Sequence, residues 1–353
     1  MEVHLNRIVA FKEPSLKRDD LLSVLEALVN RKIFPKEIYE QSVESLKNIL
    51  NVKNIILVSS KYVALQLILQ NIDKRYSNLY SSNDLNHFYF NQFSLFFEKI
   101  TPLDINQYSL NFDPIKLSEL NKSLFFFTYN LGYPVDIQFI PNIDIISMAD
   151  FSGSLFTKFN GKHLLEYVDF AICSLKDEEI ITAGDGALIY IKDRKLYDKI
   201  NEYAFNNNLY LSDFNSSLLL SQITKKDKII ESRKKIFLSI YEKTKENISE
   251  LNWFDTRKIL EKYSIEELSI YSSFTTFTID VKDINIARKI AEQIGVETNI
   301  AIEKPLSLEL KLLQNFPITE KVAKHALFIP FYPLLNEKDL EKIYYFINKI
   351  SIY

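Results

Sequence analysis

Short apolar runs alternate with longer amphipathic segments through the first two hundred residues, and this alternation constrains the fold more than any other feature. The longer segments carry apolar residues at three- and four-residue spacings, as helices with one buried face do. The pattern favours an α/β domain with a mainly parallel sheet. The predicted strands are Ile55–Ser59, His87–Asn91, Leu124–Thr128, Asp144–Met148, Val168–Cys173 and Ala187–Lys192. The predicted helices are Asp19–Asn30, Lys36–Leu50, Tyr62–Asn71 and Leu196–Asn206.

The second part of the chain has a different pattern. A lysine-rich helical stretch, Ser212–Asn247, predicts one or two long helices, and a smaller α+β part follows. We therefore expect a large domain over residues 1–228 and a small C-terminal domain over residues 229–353. The small domain is predicted to contain strands Ser273–Asp280 and Thr298–Ile302, helices Ile284–Ile294 and Glu337–Ile350, and loops at Pro305, Pro317, Pro330 and Pro333.

Composition excludes several classes of function. With 353 residues and 47% hydrophobic content the chain can bury a large core, and a net charge of -3 gives no electrostatic reason to expect nucleic acid or an anionic membrane as partner. No signal-peptide pattern and no apolar run of about 18 residues is present, so a cytoplasmic location is expected. The single cysteine, Cys173, excludes an internal disulfide framework and is expected to be a buried thiol.

Glycine is scarce, and this scarcity excludes two common nucleotide sites. Only six glycines occur, far below the average usage of roughly 7%. Neither a Gly-x-Gly-x-x-Gly turn nor a Walker-type loop exists, so dinucleotide oxidoreductases and P-loop kinases are excluded. No metal site is predicted either.

The segment from Asp169 to Tyr190 reads as a strand, an irregular loop and a second strand that opens on the turn Gly184-Asp185-Gly186. It resembles the cofactor-lysine region of the DegT/DnrJ/StrS sugar aminotransferases, which are fold type I pyridoxal phosphate (PLP) enzymes. That family places its lysine five residues before the first glycine and ten after the aspartate that corresponds to Asp169. Both counts lead to Glu179. The resemblance thus implies a fold type I PLP-transferase-like α/β fold without the Schiff-base lysine.

Other blocks carry the same resemblance in the same order along nearly the whole chain. The order and spacing of these blocks are more specific than any block alone. They are Phe11–Leu16, Val58–Leu65, Asn130–Asp136, Asn208–Ser212, Phe316–Ala323 and Ile329–Leu334.

The resemblance implies three cofactor-binding residues. PLP requires an anion pocket for its phosphate, a carboxylate on its pyridine nitrogen and a lysine for the covalent link. Asp150 matches the family's pyridine-nitrogen aspartate, and Ser174 matches a phosphate-binding serine. Asn208 matches an asparagine that crosses a dimer interface to the phosphate. Taken alone, these residues also fit a polar strand end and ordinary turn positions.

Several departures from the family cluster at the same pocket. Lys61 and Tyr62 stand where the family has small Gly and Thr around the phosphate, so they narrow the pocket, although Lys61 also supplies a cation. Gly153 replaces a glutamine and Tyr210 replaces a substrate-contacting arginine. The family's His-Tyr-Pro-like loop is represented by Ala301–Pro305. Either the pocket was remodelled for another ligand or selection on cofactor chemistry was relaxed.

Glu179 leaves three mechanisms open, because a carboxylate cannot form a Schiff base. Lys176 takes the covalent role from three residues upstream, or it is a solvated loop lysine. Lys61 pairs with Glu179 across a collapsed pocket. Glu179 is protonated and acts as a general acid or base, on pyridoxamine phosphate (PMP) as in a dehydratase branch of the family that has histidine in place of lysine.

Three hypotheses of function follow on one fold. The first is a non-transaminating family member that binds a nucleotide-sugar or a partner subunit in surface polysaccharide or deoxysugar biosynthesis. The second is an active PLP- or PMP-dependent aminotransferase or dehydratase on nucleotide-linked keto-sugars. The third is a structural or interaction protein whose pocket is filled by its own side chains, and which therefore holds no cofactor. The resemblance implies a homodimer, or a heterodimer with an active paralogue.

Overall fold

The computed structural model describes residues 8–32, 36–73, 76–107, 110, 123–129, 131–137, 145–248, 254–313 and 315–351. Its centre is a seven-stranded sheet with the order β1-β9-β8-β5-β4-β2-β3. Only β9 runs antiparallel to its neighbours among these seven strands, so the predicted, mainly parallel α/β sheet is confirmed. The strands are β1 (Ile55–Val58), β2 (Asn78–Ser82), β3 (Lys99–Leu103), β4 (Leu124–Thr128), β5 (Ile146–Asp150), β8 (Phe170–Ser174) and β9 (Ala187–Ile191), with a small hairpin formed by β6 (Lys158–Phe159) and β7 (Lys162–His163).

The sheet separates two hydrophobic clusters. Phe125 and Phe127 of β4 belong to one cluster and Phe126 to the other, because successive side chains of a strand point to opposite faces. Both faces are buried, which explains why the strands appear in the sequence as continuous apolar runs. The helices of this part are α1 (Arg18–Val29), α2 (Glu37–Leu50), α3 (Lys61–Leu69), α4 (His87–Phe93), α5 (Arg194–Asn206), α6 (Asp213–Thr224) and α7 (Lys226–Thr244).

Two strand predictions required correction. The predicted strand His87–Asn91 is helix α4, which Asn86 caps by accepting a hydrogen bond from the Tyr89 N–H at 3.2 Å. A short apolar run suggested a strand there, but the polar cap decides the helix start. The strand predicted at Asp144–Met148 is instead β5, which extends to Asp150, while Asp144 lies outside the described residues. Asp150 is therefore the last residue of a strand.

The C-terminal part is built around a three-stranded antiparallel sheet with the order β10-β12-β11. Its central strand β12 (Ala326–Ile329) was not predicted, and Pro317 begins a helix instead of lying in a loop, as proline at the first helical turn often does. The domain boundary after residue 228 stays a prediction, and α7 runs continuously through that position. The other elements are α8 (Ile259–Lys262), α9 (Ile265–Tyr271), β10 (Phe277–Asp280), α10 (Ile284–Ile294), β11 (Asn299–Ile300), α11 (Leu306–Glu309), α12 (Pro317–His325) and α13 (Glu337–Ile350).

No helix in these described ranges is both long enough and apolar enough to span a bilayer.

Candidate active site

The candidate site lies where the carboxyl ends of β5 and β8 meet the start of α3. Ser60 caps α3 by accepting a hydrogen bond from the Val63 N–H at 3.2 Å, which places Lys61 at the first helical position. Asp150 ends β5 and Ser174 ends β8. Crevices at the carboxyl ends of parallel strands are the usual ligand sites of α/β sheets, so the fold brings three of the predicted residues to the expected place.

Asp150 is fully buried and its carboxylate is saturated with hydrogen-bond donors. Oδ2 accepts from the Lys61 ammonium at 2.6 Å and from the Tyr89 hydroxyl at 2.8 Å. Oδ1 accepts from the backbone N–H of Ser152 at 2.8 Å and from the Ser152 hydroxyl. An ionised carboxylate offers about four lone-pair sites. All of them are used by this chain's own donors.

Asp150 and Lys61 each stabilise the charged form of the other. Burial raises the pKa of Asp150, but the charge and hydrogen bond of Lys61 outweigh it and the pKa is lowered. Burial lowers the pKa of Lys61, but the charge and the hydrogen bond of Asp150, with a smaller contribution from the charge of Glu179, together outweigh it, so that pKa is raised. The Lys61 ammonium also lies 4.8 Å from the ring centroid of Tyr89 and 5.7 Å from that of Phe88. The Asp150 side chain is fully buried and that of Lys61 is 19% exposed, so the two form a largely buried ion pair.

Glu179 lies in the loop between β8 and β9, near this pair but outside it. Its backbone N–H donates to the Lys176 carbonyl at 3.3 Å. Burial raises the pKa of Glu179 to about 7, with a further upward contribution from Asp150 that Lys12 and Lys61 oppose. The predicted alternative of a Lys61–Glu179 ion pair is wrong in this structure, because the ammonium binds Asp150, which offers a deeper position and a fixed carboxylate.

Ser174 and Lys176 have different environments. The buried Ser174 donates its backbone N–H to the Ser152 hydroxyl at 2.8 Å, so Ser152 links it to Asp150. Its own hydroxyl accepts from the Lys176 N–H at 3.4 Å. The side chain of Lys176 is exposed, and its backbone forms a bridge with Gly184. The structure thus brings Ser174 to Asp150 and leaves the Lys176 side chain in solvent.

Tyr62 and Asn208 lie at the surface. Tyr62 follows Lys61 in the first turn of α3 and is half exposed. Asn208 is exposed in a left-handed turn with φ 54° after α5. The next residues bind the edge strand β1, with the Leu211 N–H donating to the Leu57 carbonyl at 3.1 Å. Asn208 is therefore held at the surface beside the edge strand β1.

Tyr210, the residue at the family's arginine position, packs against its own chain. Its ring stacks on Tyr39 with centroids 4.7 Å apart, and its hydroxyl donates to the Asn201 side chain at 2.7 Å. A side chain held by stacking and hydrogen bonding inside one subunit does not project toward a ligand.

Comparison with known families agrees with this geometry. Residues 103–348 match the model of the DegT/DnrJ/EryC1/StrS aminotransferase family. The chain belongs to this family. No curated protein sequence matches it significantly.

Solved structures of low sequence identity share the fold of this family member over almost its whole length. Helicobacter pylori PseC, an aminotransferase involved in the biosynthesis of pseudoaminic acid, is 17% identical, with a TM-score of 0.84 and coverage of 98% of this chain and 100% of the other. The aminotransferase TlmJ from Streptoalloteichus hindustanus is 14% identical, with a TM-score of 0.84 and coverage of 98% and 99%. The putative sugar aminotransferase Spr1654 from Streptococcus pneumoniae, solved in a PMP form, is 15% identical, with a TM-score of 0.84 and coverage of 98% of each chain.

The residues of this family member do not fit PLP bound through its pyridine nitrogen to Asp150. A pyridine nitrogen needs a free carboxylate oxygen, whereas both oxygens of Asp150 are already bound by Lys61, Tyr89 and Ser152. The side chain of Lys176, the lysine predicted to take the covalent role, is exposed to solvent. Among the described residues no group of three or more His, Cys, Asp or Glu is placed to hold a metal ion.

Sequence reasoning missed two members of this site, Tyr89 and Ser152. Tyr89 was hidden by the wrong strand prediction, since only helix α4 presents its hydroxyl to β5. Ser152 had a usable signal. A serine two residues after an aspartate at a strand end is placed to form the short side-chain to backbone turn that Asp150 and Ser152 make.

Proposed function

We propose that this chain is a non-transaminating member of its family that acts by binding a partner subunit in surface polysaccharide or deoxysugar biosynthesis. The observation that carries the proposal is the saturation of the buried Asp150 carboxylate by Lys61, Tyr89 and Ser152. Opening this site for a ring nitrogen requires breaking a buried ion pair, which costs about 3–5 kcal/mol. The sugar pathway is inferred from the family and from similar proteins such as PseC, which is involved in the biosynthesis of pseudoaminic acid.

Helix α1 supports the choice of a partner subunit. Its inner face packs on α6 through the buried Ala27 and Asp20, and Asp20 pairs with Lys225 at 2.8 Å. Its outer face carries large apolar side chains that remain exposed in the single chain, a feature that marks interaction sites. These side chains are Leu21, Leu22, Leu25, Leu28 and Val29. The partner is a second copy of this chain or an active paralogue of the same fold.

The cofactor test compares three proteins by titration calorimetry with PLP and with PMP. We expect no saturable binding at Asp150 in the natural chain, gain of binding in Lys61→Gly, and no gain in the control Lys176→Met. Borohydride treatment followed by peptide mass mapping reports any covalent attachment. Micromolar binding by the natural chain that Asp150→Asn abolishes would overturn the proposal.

The partner test measures the mass of the complex by light scattering, with the natural chain alone and mixed with an active family member from the same genome. We expect a dimer in one of the two samples and its loss in Leu25→Glu, because a charge placed in an apolar interface is costly. The fully exposed Leu313 supplies the control Leu313→Glu. A monomer in both samples would sink the partner role.

One observation favours a second candidate function, catalysis on nucleotide-linked keto-sugars with Glu179 as general base. Burial raises the pKa of Glu179 to about 7, and a base near neutral pH suits proton transfer. This alternative needs PMP and a nucleotide-sugar to bind together. It predicts turnover of a nucleotide-linked 4-keto sugar with PMP that Glu179→Gln abolishes, and no turnover eliminates it.

A further inference from the structure

A cavity of about 270 Å³ lies between the β6–β7 hairpin, α7 and the end of α9, and it shares no lining residue with the Asp150 site. Three lysines line it, namely Lys158 from the hairpin and Lys226 and Lys234 from α7. Lys226 and Lys234 are eight residues apart, close to two helical turns, so both lie on the same face of α7. The cavity therefore gathers three cations from two separate elements.

Two acidic residues, Asp227 and Glu231, line the same cavity as these lysines. Lys226 pairs with Asp227 at 2.6 Å, but the Lys226 side chain is 19% exposed and that of Asp227 is 90% exposed. Lys234 lies 3.9 Å from Glu231, with 22% and 53% exposure respectively. Exposed ion pairs of this kind hold little energy, about 0–1 kcal/mol. The lining therefore carries three lysines against two carboxylates, an excess of one positive charge.

Two buried polar side chains complete the lining. Burial, with smaller contributions from the charges of Lys158 and Lys226, lowers the pKa of His163 to about 4. The pKa of His163 therefore responds to the positive charge of the lysines that line the cavity. Ser272 is 4% exposed and its hydroxyl has no hydrogen-bond partner among the described residues. A buried hydroxyl without a partner is unfavourable, and a ligand acceptor in the cavity would satisfy it.

We infer that this cavity binds a phosphate-bearing anion through Lys158, Lys226 and Lys234, with the Ser272 hydroxyl donating to a phosphoryl oxygen. Lysine ammonium groups bind phosphates as point charges. The Lys226 ammonium is held 5.6 Å from the ring centroid of Phe156, which fixes one end of the site. The volume suits a phosphate or diphosphate and is below the roughly 300–1,000 Å³ of sites for drug-sized ligands. The site does not depend on the proposed function.

The test titrates the full chain with inorganic diphosphate and inorganic phosphate by calorimetry at constant ionic strength. We expect saturable binding that Lys158→Gln or Ser272→Ala weakens by about tenfold, the scale of one hydrogen bond to a charged group. The exposed Lys235 on the same helix gives the matched control Lys235→Gln, which should leave the affinity within about twofold. Equal losses in Lys158→Gln and Lys235→Gln, or the absence of saturation, would overturn the site.

A second readout remains usable if a variant folds poorly. The chain has four histidines, so the His163 imidazole signal can be followed by NMR and assigned through His163→Gln. A bound anion favours the charged imidazole, and we expect diphosphate to raise the pKa of His163. An unchanged His163 titration at saturating diphosphate counts against the site.

The same titration with a nucleoside diphosphate tests whether the cavity recognises the phosphates alone or the diphosphate of a nucleotide ligand. Affinity equal to that of inorganic diphosphate means that the cavity recognises the phosphates alone. Affinity at least tenfold higher means that it takes the diphosphate of a nucleotide ligand. Both results support the anion site, whereas binding of neutral nucleoside with equal affinity would overturn it.

Discussion

Asp150 is a buried carboxylate and Glu179 a partly exposed one near the same lysine, and they differ in their hydrogen bonds and in the direction of their pKa shift. Asp150 receives four donors, and its pKa is lowered. Glu179 receives the charge of Lys61 only at a distance, and burial raises its pKa to about 7. The difference shows that closeness to a cation is not sufficient. Lys61 pairs with Asp150, the carboxylate that also accepts hydrogen bonds from hydroxyl and backbone donors.

This difference has a consequence for ligands. Because Lys61 occupies the Asp150 carboxylate, that carboxylate is not free to bind the ring of a cofactor. Glu179 is left as the titratable group of the crevice. Substitutions at these two positions should therefore have effects of opposite sign on stability. We expect the largest change in the free energy of unfolding at Asp150, whose carboxylate oxygens are all bound.

Asp150→Asn should lower the free energy of unfolding by about 3–5 kcal/mol, because it leaves the Lys61 ammonium buried without its partner. Urea unfolding at neutral pH followed by circular dichroism measures this loss. The double variant Asp150→Asn with Lys61→Met should recover at least half of it. A loss below about 1 kcal/mol in the single variant would contradict the buried pair.

Tyr89→Phe should cost about 1.5–3 kcal/mol, the usual contribution of a hydrogen bond to a charged group. The substitution keeps the ring that packs against Phe126 and removes only the hydroxyl that binds Asp150. The control is Tyr62→Phe, whose side chain is half exposed. Equal losses in both variants would show that Tyr89 acts through its ring alone.

Glu179→Gln should stabilise the chain by about 1–2 kcal/mol at pH 8 and change little at pH 4. The sign follows from the pKa, which burial raises from the ordinary 4.5 to about 7 in the folded chain. The charged form is penalised, so stability is complete below about pH 4.5 and declines as the pH rises through 7. Unfolding curves from pH 4 to 8 measure this slope, which Glu179→Gln should remove. A pH-independent difference between the two proteins would refute the assignment.

Glu178→Gln should change stability by less than about 1 kcal/mol, because its ion pair with Lys12 at 3.6 Å is exposed. Added salt should reduce even this difference. Thermal unfolding at low and high ionic strength gives the measurement. An effect as large as that of Glu179→Gln would mean that the whole loop, and not one carboxyl, controls the crevice.

The outline of the fold could be predicted because hydrophobic burial imprints a period on the sequence. Leu124–Thr128 and Ile284–Ile294 were predicted with the bounds that the structure has, since each buries a regular apolar set. The helix His87–Phe93 was read as a strand and β12 was missed. In these segments a capping side chain or a neighbouring strand, not the local period, decides the conformation.

The candidate site could likewise be predicted only in part from the sequence. Asp150, Ser174 and Lys61 were predicted as pocket residues, and the structure links them through Ser152 and a buried ion pair. The choice of Asp150 over Glu179 as partner of Lys61 depended on Tyr89, which approaches from helix α4. No spacing along the chain could reveal that contact, because sixty-one positions separate Tyr89 from Asp150.

The sequence by itself determined the alternation of strands and helices, the family blocks and the carboxylate at position 179, because residue type and spacing carry this information locally. The tertiary structure alone decided which carboxylate takes the lysine and which one remains to titrate. It also decided that three lysines from two elements share one cavity. Burial and the directions of hydrogen-bond donors fix these outcomes, and both arise only when distant segments pack together.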